Sequence, residues 1–363
     1  MKAMGSRKAI DFFSGCGGLT CGLKDAGFEV VACAEIRPEA RETYRLNHAG
    51  TKIYEDIREL TVQSVLSDHK LEVGELDLLA ACPPCQGFSS IRTKNGDVVE
   101  DPRNELIFEV LRLAQGLLPK CILIENVPKL LFDERLARFK AHLSLHGYRF
   151  SEGVLNAKDF GVPQRRKRMI LIGCRYDTID LPKKTRKRRV VRDVLFGLPQ
   201  PDASHRRPLH RLRQQLSNEV RHRISIIKRS RSELPDEMAL DCHLRYPDGF
   251  KDVYGRLSWD DVAATITRFS HNPSKGRFVH PSQDRGLTMY EAMLLQGFPR
   301  RYKFPKTLGI GKISSMIGEA FPPPMAAAQA KHLRKKLDAL EKRVSNQTRL
   351  LQFGGSHKVR ILY

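Results

Sequence analysis

The stretch Lys8–Leu19 (KAIDFFSGCGGL) predicts the class of fold. It begins with a short apolar run typical of a buried strand, and its glycines mark the turn into a helix. The other predicted strands are Glu29–Ala34, Leu76–Ala80, Cys121–Glu125 and Arg168–Gly173, and the helical patterns between them include Glu39–Asn47, Asn104–Leu118 and Leu136–His146. Strands separated by helices indicate an α/β fold with a doubly wound, mostly parallel sheet that is covered on both faces.

Functional residues in such a sheet gather where the strands end. The glycine turn Phe13–Gly18 follows the first strand, and glycines there let a ligand approach the backbone at a helix N-terminus. A tight turn without a ligand explains the same residues equally well. Glu35 follows the second strand, in position to accept hydrogen bonds from the ribose of a nucleoside cofactor, and Asp56 comes near a later strand end. For either acid taken alone, a solvated surface carboxylate is the preferred interpretation.

The charge of the chain points to a polyanionic partner. Across 363 residues, 63 Lys and Arg face 41 Asp and Glu, which gives a formal net charge of +22 and favours nucleic acid as the partner. We expect no membrane span, because no apolar run approaches roughly 18 residues, and no secretory signal. Eight cysteines without regular spacing indicate reduced intracellular thiols, and Cys121, Cys174 and Cys242 are expected to be small buried residues.

The character of the chain changes near residue 183. Residues 183–231 contain 16 Lys and Arg but three acids, and prolines interrupt a weak apolar periodicity. We predict a second, smaller, basic domain over residues 183–299, beside a catalytic domain formed by residues 1–182 and completed by 300–345. A disordered basic linker is the alternative. A helix is predicted at Met325–Val344, and residues 346–363 are expected to form a polar C-terminal tail.

The most specific segment is Ala81–Ser89 (ACPPCQGFS). Cys85 follows two prolines after an apolar strand, and a thiolate is the best side-chain nucleophile near neutral pH. Cys82 and Cys85 also form a C-x-x-C pair, which leaves redox activity or half of a zinc site as alternatives. A zinc site needs a second close pair, and the sequence has none at suitable spacing, so we predict no metal.

Two further motifs carry charge at predicted strand ends. Glu125 lies in Leu123–Pro128 (LIENVP), directly after a buried strand, where an acid can hold a proton and donate it to a ring nitrogen. The basic cluster Gln164–Arg168 (QRRKR) precedes the next strand. Its guanidinium groups can hold a phosphate and a base carbonyl, although ordinary solvated charge explains most such runs.

Together and in this order, the motifs resemble those of the cytosine-C5 DNA methyltransferases of the prokaryotic modification type. The matching segments are Phe13–Gly18, Pro84–Gln86, Glu125–Val127, Gln164–Arg168, Ala264–Arg268 and Gly318–Pro323, which span nearly the whole chain. One motif departs from the family pattern. The last one usually reads Gly-Asn-Ala/Ser-Val-Pro-Pro, whereas here Glu319 stands in place of Asn and Phe321 in place of Val.

The resemblance implies an AdoMet-dependent methyltransferase fold and a DNA (cytosine-5-)-methyltransferase that flips its target base out of the duplex. Cys85 would add to cytosine C6 while Glu125 protonates or hydrogen-bonds N3. Arg168 would contact the base carbonyl and Arg166 the adjacent backbone or catalytic loop, and Gln86–Arg103 would be a mobile loop. The cofactor residues that it implies for S-adenosyl-L-methionine (AdoMet) are Phe13, Ser14, Gly15, Cys16, Gly17, Gly18, Glu35, Ile36, Asp56, Ile57, Pro84, Leu106, Glu319 and Ala320.

The resemblance also implies partners and location. The basic domain over residues 183–299 would be the target-recognition domain for double-stranded DNA, and the last helix would pack on the large domain. We expect a monomer in the cytoplasm, associated with the nucleoid, and a separate restriction endonuclease that need not contact it. Two alternatives stay open: an enzyme acting on tRNA, and a non-catalytic homologue that binds DNA. The intact Cys85, Glu125 and Arg168 argue against the second.

Overall fold

The structure, a computed structural model, describes residues 6–84, 101–185, 188–201, 207–227 and 252–353, with the backbone alone for 344–353. Cys85, Cys242 and all of the predicted mobile loop up to residue 100 therefore lie outside the described residues.

Seven strands form one mixed sheet in the order β3-β2-β1-β4-β5-β7-β6. They are β1 Arg7–Phe12, β2 Phe28–Ala34, β3 Lys52–Tyr54, β4 Leu78–Ala81, β5 Cys121–Asn126, β6 Arg149–Asn156 and β7 Lys167–Cys174. The first five strands pair in parallel, whereas β7 runs antiparallel to both β5 and β6. The mostly parallel, doubly wound sheet that the sequence predicts is confirmed.

The strands that the sequence does not predict are β3 and β6, which lie at the two edges of the sheet. β3 has three residues, and the residues of β6 are half-buried or exposed. A strand buried on both faces reads as a continuous apolar run, while a partly exposed edge strand does not. The five predicted strands are the inner strands of the sheet, and most of their residues are buried. They are β1, β2, β4, β5 and β7.

The helices are α1 Gly18–Asp25, α2 Pro38–Asn47, α3 Val62–His69, α4 Ile107–Leu117, α5 Glu134–Ser144, α6 Arg192–Leu195, α7 Pro208–Arg211, α8 Asn218–Ile226, α9 Met289–Leu295, α10 Ile310–Glu319 and α11 Pro323–Phe353. Short 3-10 helices lie at Pro102–Leu106, Pro128–Phe132, Ala157–Phe160 and Pro273–Lys275. The helix predicted at Asn104–Leu118 thus divides into a 3-10 turn and α4. The last helix is longer than the predicted Met325–Val344 and extends into the region expected to be a tail.

Each face of the sheet is covered by its own set of helices. On one face, α3, α4 and α5 contribute Val65, Leu113 and Phe139 to a core that includes Ile10 and Ile124. On the other face, α1 and α11 pack over alternate residues of the same strands. The last helix therefore packs on the sheet, whereas its assignment to a separate large domain stays a prediction.

Helices α1 and α11 cross so closely that adding one methyl group at Gly22 would cause a steric clash. A Cβ built on Gly22 would lie 2.5 Å from Cβ of Ala326 and 2.6 Å from the backbone nitrogen of Ala327. We expect Gly22→Ala to lower the free energy of unfolding by about 1–3 kcal/mol, because overpacking outweighs the gain in helix propensity. Gly311→Ala is the matched control in α10, where a Cβ meets nothing within 4 Å. There we expect a gain of about 0.5–1 kcal/mol.

Urea unfolding of the two variants checks this prediction. A Gly22→Ala protein as stable as Gly311→Ala would contradict the close packing of the two helices.

The described residues between 188 and 299 pack around a third apolar cluster. Val191, Phe278 and Met293 lie in it together with Cys16 from the glycine turn and Ile317 from α10. Because α6, α7 and α8 form and bury side chains, the alternative of a disordered linker does not hold for the described parts of this region. The division of the chain at residues 183 and 299 stays a prediction.

Candidate active site and cofactor site

The register of the central strands brings three predicted motifs to one edge of the sheet. Phe12 pairs with Ala81, and Ala81 pairs with Ile124, so β1, β4 and β5 end side by side. The side-chain amide of Asn126 donates a hydrogen bond of 3.0 Å to the carbonyl oxygen of Pro83. This bond attaches the segment immediately before Cys85 to the end of β5.

Glu125 lies at the end of β5 beside Arg168 of β7. Its carboxylate is 6% exposed, and Nε of Arg168 lies 2.9 Å from Oε1 of Glu125. The structure therefore joins two of the predicted catalytic residues in an ion pair shielded from water. The shielded carboxylate faces the segment that leads to Cys85.

Cys82 is the third group at this point. The pKa of its thiol is well above the ordinary value because the sulphur is shielded from water and lies near the Glu125 carboxylate. A thiol that resists ionisation is a poor nucleophile, which disfavours the redox interpretation of the C-x-x-C pair. Cys121 and Cys174 are fully buried, as predicted for small apolar residues.

Arg166, the fourth predicted catalytic residue, lies at a junction between segments. It is 2% exposed, and its Nη1 donates to the carbonyl oxygen of Ile266 over 3.1 Å. Its Nη2 lies 3.5 Å from the carbonyl oxygen of Glu319. Arg166 thus connects β7 to two distant motifs, and a direct part in catalysis stays a prediction.

The glycine turn has the backbone shape that its sequence predicts. Phe13, Gly15 and Gly17 have φ angles of 58°, 55° and 97°, and the amide of Gly17 closes the turn on the carbonyl oxygen of Ser14 over 2.9 Å. A Cβ on Gly17 would lie 2.5 Å from Nε2 of His48, and one on Gly18 would lie 2.6 Å from the carbonyl oxygen of Phe321. These two glycines are therefore needed for packing, whether or not they also contact a cofactor.

Ser14 and Cys16 are buried within the same turn. The Ser14 hydroxyl has no hydrogen-bond partner among the described residues, and Sγ of Cys16 lies 3.5 Å from the carbonyl oxygen of Met316. A buried hydroxyl without a partner carries a free-energy cost unless a ligand or water supplies the bond. Ser14 therefore fits the predicted cofactor role better than Cys16 does.

Glu35 lies at the end of β2, directly against the turn. It is 7% exposed, and Oε2 accepts a hydrogen bond of 2.8 Å from the amide of Gly15. Oε1 accepts bonds from the backbone amide and Nε of Arg37, over 2.9 and 3.1 Å. The neighbouring Ile36 is 58% exposed, which leaves an apolar surface beside the carboxylate. The interpretation of Glu35 as a solvated surface carboxylate is wrong.

The remaining predicted cofactor residues lie around these groups at various depths. Asp56 bonds to Arg58 over 2.9 Å, and this guanidinium lowers the pKa of the Asp56 carboxyl. Ile57 is buried in the core, whereas Pro84, Leu106 and Ala320 are half-buried and Glu319 is exposed. Their contacts with a cofactor stay predictions.

Asp11 is a buried carboxyl group that the sequence does not single out. It is 0% exposed, and Oδ2 accepts a hydrogen bond of 2.6 Å from Thr20, whose hydroxyl also lies 2.8 Å from that of Tyr44. Oδ1 has no partner among the described residues. Burial raises the pKa of Asp11 to about 7.

This pKa predicts how stability depends on pH. Between pH about 4 and 7 the folded state holds a proton that the unfolded state has lost, so the free energy of unfolding falls as pH rises through this window. We expect Asp11→Asn to be more stable than the wild type at pH 8, by up to a few kcal/mol, with a smaller difference at pH 5. Urea unfolding at the two pH values measures it.

Thr20→Val supplies the matched variant, since it removes the hydroxyl that stabilises the charged form of Asp11. We expect its loss of stability to be larger at pH 8 than at pH 5. Parallel pH profiles for the wild type and Asp11→Asn would contradict the raised pKa.

The basic region is less cationic at its surface than its composition suggests. Arg188 lies 2.7 Å from Asp261, Arg192 lies 2.7 Å from Asp260, and Lys184 lies 3.1 Å from Asp159. Exposed pairs of this kind contribute little to stability, but each neutralises a charge. Several arginines of the predicted recognition domain therefore serve partly to join segments of the chain.

Comparison with known proteins identifies the family to which these motifs belong. The family model for C-5 cytosine-specific DNA methylase matches residues 7–335. The chain belongs to the C-5 cytosine-specific DNA methylases.

Individual relatives agree with this assignment. The type II methylase M.HgiDII of Herpetosiphon aurantiacus is 33% identical to this methylase over 356 residues, covering 92% of this chain and 97% of that protein. The type II methyltransferase M1.BsuMI of Bacillus subtilis strain 168 is 31% identical over 355 residues, covering 89% and 79%. The chain is thus a DNA cytosine-5-methyltransferase of the type II restriction-modification class, and it acts on DNA.

A solved structure shares the fold. A DNA modification methyltransferase encoded within an E. coli prophage superposes with a TM-score of 0.70 at 23% identity, covering 92% of this chain and all of that one. At this identity the likeness shows the fold alone, which is that of the AdoMet-dependent methyltransferases.

The described residues contain no group of three or more His, Cys, Asp or Glu able to hold a metal ion. Nor does the described part of this methylase include a helix long and apolar enough to cross a membrane.

Sequence reasoning missed three side chains that organise the site. Asn126 and Gln164 lie in recognised motifs, but their partners are far along the chain: Gln164 is fully buried and its Oε1 accepts from the amide of Ile266 over 2.9 Å. The third, Arg37, bonds to Glu35 and, over 2.7 Å, to Glu319. A polar residue inside a motif is a signal for the first two, whereas no sequence pattern indicates the role of Arg37.

Proposed function

We propose that this methylase transfers a methyl group from AdoMet to C5 of a cytosine flipped out of double-stranded DNA, through a covalent bond between Cys85 and C6. The observation that carries the proposal is the shielded Glu125–Arg168 pair, which lies beside the segment leading to Cys85 and is attached to it by Asn126. An acid, a cation and a nucleophile at one strand edge are what activation of a pyrimidine at C5 requires.

Each residue has a separate task in this reaction. Sγ of Cys85 adds to C6 and breaks the C5–C6 double bond while Glu125 delivers a proton to N3. Arg168, which approaches Glu125 through Nε, holds the base carbonyl with its remaining donors. The resulting enamine would make C5 nucleophilic toward the methyl group that AdoMet would supply. A base then removes the C5 proton, N3 returns its proton to Glu125, and the re-formed double bond expels the Cys85 thiolate.

The residues at the strand ends fit AdoMet as the methyl donor. Glu35 presents a shielded carboxylate for the ribose hydroxyls, Ile36 offers an exposed apolar surface for the adenine ring, and Ser14 holds a buried hydroxyl without a described partner. When bound, AdoMet supplies a methyl group on a sulfonium centre, which is the electrophile.

The DNA substrate imposes two further requirements. C6 cannot be reached inside a stacked duplex, so the cytosine must leave the helix at a cost of roughly a few kcal/mol. We assign recognition of one short sequence to residues 183–299, whose excess of arginine and lysine favours contacts to the phosphate backbone. Acting on one strand at a time, the enzyme needs no second subunit, and we expect a monomer at the nucleoid with a separate endonuclease.

Transfer of a labelled methyl group from AdoMet to unmethylated genomic DNA, followed by bisulfite sequencing, tests the proposal. We expect methylated cytosines in one short sequence context, and none with Cys85→Ala. Transfer to tRNA but not to duplex DNA, by protein that is folded and binds AdoMet, would refute the proposed substrate.

A further inference from the structure

A guanidinium group spans the two ends of the predicted cofactor site. Arg37 immediately precedes helix α2, and its Nε donates a hydrogen bond of 3.1 Å to the Glu35 carboxylate near the end of β2. Its Nη1 bonds to Oε2 of Glu319 at the end of α10 over 2.7 Å. Glu319 is held from the other side, where the Ser315 hydroxyl donates to Oε1 over 2.9 Å. Arg37 is thus fixed between two carboxylates that are 284 positions apart.

The third nitrogen of this guanidinium faces the glycine turn. A Cβ built on Gly15 would lie 3.9 Å from Nη2 of Arg37, and no described residue accepts a hydrogen bond from that nitrogen. Side chains with two bonded nitrogens and one open nitrogen are well prepared to bind an anion, because little conformational freedom remains to be lost. The open nitrogen points to the space that a ligand of the turn would enter.

The charged residues of the predicted cofactor site include no cation to face the carboxylate of AdoMet. Glu35, Asp56 and Glu319 are all acids, which suit hydroxyl groups, an ammonium group and a sulfonium centre. The methionine part of AdoMet also carries a carboxylate, and none of these side chains can bind it. Arg37 is the cation that contacts both Glu35 and Glu319.

We propose that Arg37 binds the carboxylate of the methionine part of AdoMet and of AdoHcy through Nη2, with Glu319 holding the guanidinium in position. The proposal rests on the AdoMet site of the proposed function. It also gives the departure of the last motif a role, since the carboxylate at residue 319 pairs with Arg37 over 2.7 Å and holds the guanidinium in place. Glu319 is then a positioning residue, and Arg37 a residue that contacts the cofactor.

Two ligands separate this role from a structural one. AdoHcy carries the amino-acid part, whereas 5′-deoxy-5′-methylthioadenosine has the same adenine, ribose and thioether without it. With Arg37→Met, calorimetric titration should show affinity for AdoHcy reduced at least tenfold, as expected for loss of a charge-assisted hydrogen bond, roughly a factor of 10 to 100. Affinity for methylthioadenosine should change by less than about twofold.

Arg41→Met is the matched control. Arg41 lies on the same helix and bonds to the carbonyl oxygens of Glu35 and Ile36 over 3.2 and 2.7 Å, so it supports the same strand end. We expect this variant to affect both ligands equally. Arg37→Met leaves the Glu319 carboxylate without its ion pair. The double variant Arg37→Met with Glu319→Asn removes that carboxylate, and we expect it to show the same selective loss of affinity for AdoHcy.

An equal loss of both ligands with Arg37→Met, or no loss of either, would overturn this proposal while leaving the cofactor site in place. Failure of the wild-type protein to bind AdoHcy would overturn the cofactor site itself and this proposal with it.

Discussion

Duplex DNA carrying 5-fluorocytosine at the target position is expected to trap this methylase as a covalent complex that survives denaturation, and Cys85→Ala is expected to abolish the complex. In the proposed reaction, the bond from Cys85 to C6 is released when C5 loses its proton. Fluorine cannot leave as a cation, so the adduct persists after methyl transfer. Without the thiol no adduct forms, and we expect methyl transfer to fall by about 10⁴-fold or more.

The neighbouring cysteine provides a control for this experiment. Cys82 belongs to the same C-x-x-C pair, but the pKa of its thiol is raised by shielding and by Glu125, which keeps it protonated and unreactive. We expect Cys82→Ala to form the denaturation-resistant complex. The trapping oligonucleotide carries the sequence context mapped by bisulfite sequencing. If the complex formed with Cys85→Ala but not with Cys82→Ala, the nucleophile would be Cys82, and the assignment to Cys85 would be wrong.

The central part of the fold was predictable because its strands are buried. Continuous apolar runs such as Cys121–Glu125 leave few alternatives to a strand covered on both faces, and the strand ends then place Glu125 at the same edge of the sheet as the glycine turn. The edge strands β3 and β6 lack that pattern because part of each meets solvent. The sequence therefore predicted the buried inner strands and failed to predict the partly exposed edge strands.

Contacts between distant segments account for what the sequence could not show in the site. Arg166 belongs to a cluster that looks like a phosphate-binding surface, yet it lies buried against Ile266 and Glu319. Arg37 reaches Glu319 only because α10 ends near β2. A motif indicates which residue types lie together, whereas the partner of each charge depends on how the segments pack.

The composition of the predicted recognition domain illustrates the same limit. A run of arginines predicts attraction to DNA, but Arg188 and Arg192 each pair with an aspartate of residues 260–261. Net charge describes the long-range field of the chain, and it does not identify the cations that reach a phosphate.

Glu125→Gln is expected to lower kcat by about 10²–10⁴-fold with little change in the affinity for DNA or AdoHcy. The amide of glutamine has the size of the carboxylate and retains an oxygen that can accept the bond from Nε of Arg168, now 2.9 Å from Oε1. It cannot carry the proton that N3 requires. The loss should therefore appear in the rate of the chemical step, measured as single-turnover methyl transfer with DNA and AdoMet already bound.

Glu152→Gln is the control for loss of an ion pair at the same sheet. Glu152 lies on β6, two strands from β5, and its carboxylate pairs with Lys140. If Glu125 served only to hold Arg168, the two glutamine variants would lose stability in similar measure and both would retain the single-turnover rate. A rate that falls for Glu125→Gln alone, in a protein that still binds DNA and AdoHcy, separates proton delivery from structural support.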